Sequence, residues 1–131
     1  MIPMSRNPDN PYPRLERIFH EPARLIIMSQ LLGTAEGVTF TDLRDACGLT
    51  DGNLSRHLAA LERAKAIRID KSFAGHRPQT TVCLLQQGRN DFMAYLQALE
   101  AVLLDAADKV AARQGRPAPL RSLFGPRLAR T

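Results

Sequence analysis

The 131-residue chain holds no tryptophan, two cysteines and only 5% aromatic residues. So few aromatic rings argue against a carbohydrate site or an aromatic cage. The cysteines, Cys47 and Cys83, form neither a CxxC pair nor a disulfide framework, so a reducing, cytoplasmic setting is expected. Long apolar runs are missing too. The longest apolar-rich stretch, Leu25–Leu32, falls far short of the roughly 20 residues that a spanning helix needs, so no membrane partner is expected. The opening segment MIPMSRNPDNPYPR is broken by proline and has no apolar core of the kind an export signal requires. No nucleophile–base pairing, carboxylate dyad or phosphate-cradling glycine loop can be assembled from the sequence, which excludes the common enzyme classes. No cofactor and no metal are expected.

Acid is absent from the C-terminal segment, and this decides how the net charge of +5 is to be read. Residues 109–131 hold six bases and no acid, whereas residues 1–108 hold 12 bases against 13 acids. The basicity of the whole chain therefore belongs to its tail. A local excess is more informative: Gly52–Thr80 carries six Lys/Arg against Glu62 and Asp70.

Four prolines and two asparagines within Met1–Pro13 point to a loosely held arm over residues 1–13. Leu15, Ile18 and Phe19 have helical spacing and predict a short first helical segment. Pro22 suits the first turn of a helix that runs through PARLIIMSQLL to Gly33. Gly37-Val38-Thr39-Phe40 is too short for more than one bridging strand. Thr41 is expected to cap a short helix over Asp42–Cys47 that buries Leu43, Ala46 and Cys47, with Gly48 past its end. Thr50 or Asp51 then caps a helix to about Lys65. Ile67–Phe73 and Thr80–Leu85 predict two strands joined by a loop longer than two residues. A long helix is expected over 88–113, followed by a Pro/Arg-rich tail over 114–131.

Two short helices joined by a glycine-containing turn form a helix-turn-helix, whose second helix can enter a major groove about 12 Å wide. In that second helix Leu54, Leu58 and Leu61 make one inward stripe. The opposite side carries Gly52, Asn53, Ser55, Arg56, Ala60 and Arg63. Its small residues permit close approach to base edges. Arg suits guanine and Asn suits adenine in bidentate geometry. Thr50 and Asp51 stand at the helix N-terminus, where unpaired N–H groups can hold a phosphate. On the hairpin, Arg77 and His76 fall at the tip, with Lys71 and Arg68 on the adjoining strand, placed for the negative potential of a minor groove or its phosphates. His57 lies beside the leucine stripe and reads as a packed or phosphate-contacting histidine. Double-stranded DNA is the expected partner.

In the last helix Phe92, Leu96, Leu99, Leu103, Ala106 and Val110 are spaced alternately four and three apart, a heptad-like seam. Such a seam is expected to bury against a second copy, so a homodimer is the second expected partner. Two copies would present two reading helices about 34–36 Å apart, which suits a palindromic site.

The run from His20 to about Leu103, carried by HEPARLIIMSQL, FTDLRDACGLTDGNLSRHLAALERA, FAGHRPQTT and QGRNDFMAYLQALEAVL, resembles the MarR/ArsR-like winged-helix regulators. It is most similar to a compact subgroup with a single DNA-binding domain. The resemblance implies a mainly α fold with a small β-hairpin (α+β), a winged helix-turn-helix over 14–87 with a long C-terminal dimerisation helix. It implies that Asp51, Gly52, Asn53, Ser55 and Arg56 begin the reading helix and that Arg77 is the wing residue at DNA. Repression is the commoner mode of such regulators, and an unidentified small-molecule effector is a further candidate partner. Two features depart from the pattern: Lys65-Ala66 stands where relatives often have Gly-Tyr, and Leu85 where they often have a capping Thr. The alternatives are a winged helix that binds protein without a DNA target, and a metal- or thiol-responsive regulator built on Cys47, Cys83 and three histidines.

Overall fold

The computed structural model describes residues 17–114. The arm expected over 1–13, Leu15, and the tail after Gln114 lie outside the described residues. The element order is α1 (Pro22–Leu32), β1 (Val38–Thr39), α2 (Phe40–Cys47), α3 (Asp51–Arg63), β2 (Ile67–Ala74), β3 (Arg77–Leu84) and α4 (Gln86–Gln114). The three strands form an antiparallel sheet in the order β1-β3-β2. The chain divides into two compact units, one spanning Glu16–Tyr95 and the other containing the described residues from Leu96 onward. No helix among the described residues is long and apolar enough to cross a membrane.

The core of the first unit gathers Ile27, Met28 and Leu31 of α1, Leu43 of α2, Leu54, Leu58 and Leu61 of α3, and Ile67 and Val82 of the sheet. The expected first helical segment is instead a single turn over 17–19, closed by the His20 N–H donating to the Arg17 carbonyl (3.2 Å). Its apolar spacing serves docking rather than helix. Phe19 is buried edge-on against Phe92 (5.2 Å between centroids) and tilted against Tyr95 (5.8 Å), an arrangement that adds to plain area burial. Glu21 then holds an extended conformation and caps α1, accepting from the Arg24 N–H at 3.0 Å, and Pro22 takes the first helical position.

Thr39, not Thr41, caps α2: its Oγ1 accepts from the Asp42 N–H at 3.2 Å, so the helix starts two residues earlier than expected. The short bridge with β3 ends at Thr39 and hands it directly to the helix. Within α2 only Leu43 is buried; Ala46 is exposed and Cys47 half-buried, contrary to expectation. A helix of eight residues offers the core little more than one side chain of this kind.

Both α2 and α3 end in the same six-residue closure. In α2 the N–H groups of Gly48 and Leu49 donate back to Asp45 and Arg44, with Gly48 left-handed at φ 66°. In α3 the N–H groups of Lys65 and Ala66 donate back to Glu62 and Leu61, with Lys65 left-handed at φ 64°. A lysine thus holds the place that favours glycine. The next residue, Ala66, is buried, and its carbonyl accepts from the Leu85 N–H at 3.0 Å. Gly88 lies against this carbonyl so closely that a Cβ there would overlap its oxygen and come within 2.6 Å of the Ala66 Cα. The last helix consequently begins at Gln86, and Gly88 sits inside its first turn rather than at its start.

The strands are joined more tightly than expected. Ala74 pairs with Arg77, leaving Gly75 and His76 as a two-residue turn with Gly75 at φ 71°. A left-handed first turn residue is what a type II′ hairpin needs, and Gly75 supplies it. The closing Ala74–Arg77 pair makes Phe73–Pro78 a non-hydrogen-bonded pair, so the N–H that proline lacks is not missed in the ladder.

Lys65→Gly should raise stability by roughly 0.5–1 kcal/mol, because the left-handed conformation is strained for lysine and open to glycine. Gly88→Ala should lower it by about 1–3 kcal/mol, the range of a core overpacking. Urea unfolding of the two variants beside the parent checks both signs.

Candidate nucleic-acid interface

The helix-turn-helix is α2 and α3, and local bonds fix where α3 begins. Thr50 caps it, its Oγ1 accepting from the Asn53 N–H at 3.1 Å. Asp51 follows in the first turn, where the helix dipole favours an anion. Its carboxylate accepts from the Arg44 guanidinium of α2 at 2.9 Å, and Arg44 also reaches Asp45 at 3.0 Å. Arg44 thereby spans the turn between the two helices. Sequence reasoning missed it, since a residue seven positions from its partner across a turn belongs to no helical period.

The inward side of α3 holds Leu54, Leu58 and Leu61, as expected, together with His57, which is only 4% exposed. The Arg24 Nε–H donates to His57 Nδ1 at 3.1 Å, and Glu21 Oε1 lies 3.9 Å from the same nitrogen. An arginine can only donate, so Nδ1 carries no proton and the neutral ring bears it on Nε2. Burial pushes the His57 pKa below the ordinary imidazole value; Glu21 pulls upward, and the Arg56 and Arg24 charges push down again. His57 is thus packed inward and not placed to meet a phosphate. Glu21 in turn is held below the usual carboxylate range, first by the N–H of Arg24 that it caps.

On the outward side Gly52, Asn53, Ser55, Arg56 and Arg63 are exposed, and Ala60 is half-buried. A Cβ added at Gly52 would meet nothing within 4 Å. Asn53 Oδ1 accepts from Arg56 at 3.3 Å, so the two side chains named for base contact are neighbours one turn apart. The polar groups converge on the N-terminal half of one face.

On the hairpin Lys71, His76 and Arg77 are all exposed. Arg68, the other cation of β2, is differently placed. It donates to both oxygens of Asp70, at 2.9 and 3.1 Å, and its charge is largely cancelled there. The Arg68 hydrogen bond in turn holds Asp70 below its usual pKa. Phe73, 72% exposed, is a hairpin residue that sequence reasoning passed over, because alternation alone would place it on the buried face. Cys83 is half-buried, its thiol 3.7 Å from Asp70 Oδ2, and Cys47 is half-buried with its pKa raised by desolvation. Among the described residues no three His, Cys, Asp or Glu side chains converge as a metal site would require.

Of the residues expected in the dimer seam, Phe92 is buried in the core of the first unit against Phe19 and Tyr95. It belongs to the protomer's interior, with Tyr95 sharing a 2.9 Å hydrogen bond with His20 Nδ1. Leu96 and Leu99 are half-buried, while Leu103, Ala106 and Val110 are exposed.

A capped second helix behind a tight turn, with a cationic two-stranded hairpin following it, is a winged helix-turn-helix. The profile described as a winged helix DNA-binding domain matches residues 23–103, and the chain belongs to that family. An uncharacterized protein of Methanocaldococcus jannaschii is 34% identical over 80 residues, 61% of this chain and 86% of that one. The solved structure of a transcriptional regulator homologue from Pyrococcus horikoshii OT3 is similar at 30% identity and a TM-score of 0.66, covering 71% of this chain and 93% of that one. MepR, a transcription regulator of the Staphylococcus aureus multidrug efflux pump MepA, shares the fold at 14% identity and a TM-score of 0.59, covering 82% and 80%. The family and fold are those of transcriptional regulators, not of enzymes, which bears out the resemblance to winged-helix regulators.

The His57 arrangement has a pH signature. Its folded pKa is depressed, so between the ordinary imidazole value and the lower folded one the unfolded chain binds more protons. Stability is therefore full above that window and is lost as pH falls through it. Urea unfolding between about pH 7.5 and about pH 5.5 should show a loss in the parent that is smaller in His57→Gln, where the amide oxygen can still accept from Arg24. The Glu21 contribution falls away only in the lower carboxylate range.

Proposed function

We propose that this protein is a sequence-specific transcriptional repressor that binds double-stranded DNA as a homodimer on a palindromic site. In this reading α3 lies in the major groove and the hairpin tip meets the minor groove. The observation that carries it is the outward face of α3: Gly52, Asn53, Ser55 and Arg56 stand exposed on a helix start held by Thr50 and by the Arg44–Asp51 pair. Small residues give the backbone access to base edges, and Asn53 and Arg56 supply the donors and acceptors. Thr50 and Asp51 act by fixing the helix start, since their side-chain oxygens already have partners. Arg63, Lys71, His76 and Arg77 supply contacts to phosphates or to the minor groove, and Ala60 keeps the reading face low.

Dimerisation is supported by Leu103 and Val110, which are 41% and 51% exposed at heptad spacing on α4. Leu96, Leu99 and Ala106 continue the same seam. The transcriptional regulators among the similar structures support the regulatory role.

Selection of bound duplexes from a random pool tests the reading, with enrichment of a palindromic sequence expected. Failure to bind any duplex at low salt would overturn it. Arg56→Ala should erase discrimination at one base position, a loss of about 1–3 kcal/mol against the wrong base. Arg77→Ala should weaken binding evenly across sequences and lower the salt slope of the dimer by about 1.8, about 0.9 for each wing. Leu103→Glu should shift the protein toward monomer in sedimentation equilibrium while leaving its helical circular dichroism unchanged.

A further inference from the structure

Phe73 is the most exposed large apolar side chain among the described residues, at 72%. Strand alternation puts it on the same face as Ile67, Ile69 and Lys71, the face that is buried at the base of the hairpin. Burial fades along that face, from Ile67 at 1% through half-buried Ile69 to exposed Lys71 and Phe73. The helices cover the base of the hairpin and leave its tip bare. Across the ladder Phe73 stands opposite Pro78, also exposed, in a non-hydrogen-bonded pair where side chains approach most closely. The tip thus carries an apolar pair that covers nothing in its own protomer.

The charge around this pair selects its partner. From Lys71 to Thr81 the chain contains Lys71, His76 and Arg77 and no Asp or Glu. Lys71 shares the face of the pair, and Arg77, paired with Ala74, stands beside it on the opposite face of the ribbon. An apolar pair with a cation on each face of its ribbon and no acid nearby suits a polyanion whose charged backbone borders an apolar interior, and duplex DNA is such a surface. Its phosphates flank deoxyribose rings and base edges, and phenylalanine and proline are among the side chains that wedge against minor-groove base steps.

The geometry points to Phe73, backed by Pro78, as an apolar wedge of the wing that packs on the sugar and base edges of the minor groove between the phosphates held by Lys71 and Arg77. This rests on the DNA-binding reading given above and adds to it a contact that no charge accounts for. An apolar contact releases no counterion, so its contribution to binding is independent of salt, whereas each phosphate contact adds to the salt slope. The two kinds of wing residue are therefore separable in one titration.

Binding of the full chain to short mixed-sequence duplexes, followed across a range of salt concentrations, tests the wedge. Phe73→Ser should weaken binding roughly tenfold at every salt concentration with the slope unchanged. Phe73→Leu should recover most of that loss, and Arg77→Ala should instead flatten the slope. The exposure of Phe73 means that the thermal midpoints of both Phe73 variants should match the parent. Parent and Phe73→Ser binding with equal affinity at all salts would overturn the wedge while leaving the DNA-binding reading intact; a hairpin that docks on protein would give that result. A parent that binds no duplex would overturn both.

Discussion

The carbonyl of Ala66 ties three elements of the winged unit together. The N–H of the same residue closes α3 on Leu61, its carbonyl accepts from Leu85, and the first turn of α4 presses Gly88 against it. Because the residue is buried and its polar groups are both used, the direction in which β2 leaves α3 has little freedom. The hairpin tip lies at the far end of β2, so its position relative to α3 is inherited from this joint. The left-handed Lys65 and the bare Cα of Gly88 are local concessions to it, one strained and one small.

The same economy governs α3 itself. One side is committed to the core by three leucines and by a histidine whose acceptor nitrogen is matched to an arginine donor. The helix start is committed by a cap and by an ion pair across the turn. Exposed ion pairs contribute little to stability, typically well under 1 kcal/mol, so the value of Arg44–Asp51 lies in orientation rather than in energy. With these positions assigned to structure, the remaining residues of the face are unconstrained by folding. On that face Gly52, Asn53, Ser55 and Arg56 stand exposed, and folding alone gives no reason for their identity.

The sequence made much of this legible, where the signal was periodic or the chemistry of an end was strong. The leucine stripe, Gly48 past the end of α2 and Pro22 at the start of α1 could be read directly, and the misfit of Lys65 followed from the family resemblance. The failures share a cause, which is tertiary contact overriding a local pattern. Phe19 is apolar because Phe92 and Tyr95 receive it, not because a helix runs through it. Phe92 fits a heptad yet is consumed by the core, since the seam and the core are drawn from the same helix. Thr39 outcompeted Thr41 as a cap because the β1–β3 bridge delivers it in an extended conformation. Gly88 looked like a helix boundary, whereas it marks a backbone approach that only coordinates reveal.

The wing sharpens how a charge count should be used. Counted along the chain, Gly52–Thr80 holds four more bases than acids, and Arg68 contributes to that excess as much as Arg77 does. In space the two differ. Arg68 is held by both oxygens of Asp70 at the base of the hairpin, so that pair presents almost no net field to a ligand. Lys71 and Arg77 stand toward the tip, where the chain from 71 to 81 has no acid to offset them. At physiological ionic strength exposed charges are screened beyond about 8 Å, so a neutralised pair at the base cannot cancel the cations at the tip. The hairpin therefore presents its positive potential at its end, around Phe73 and Pro78. The attraction of a polyanion and the apolar surface that would meet it fall on the same few residues.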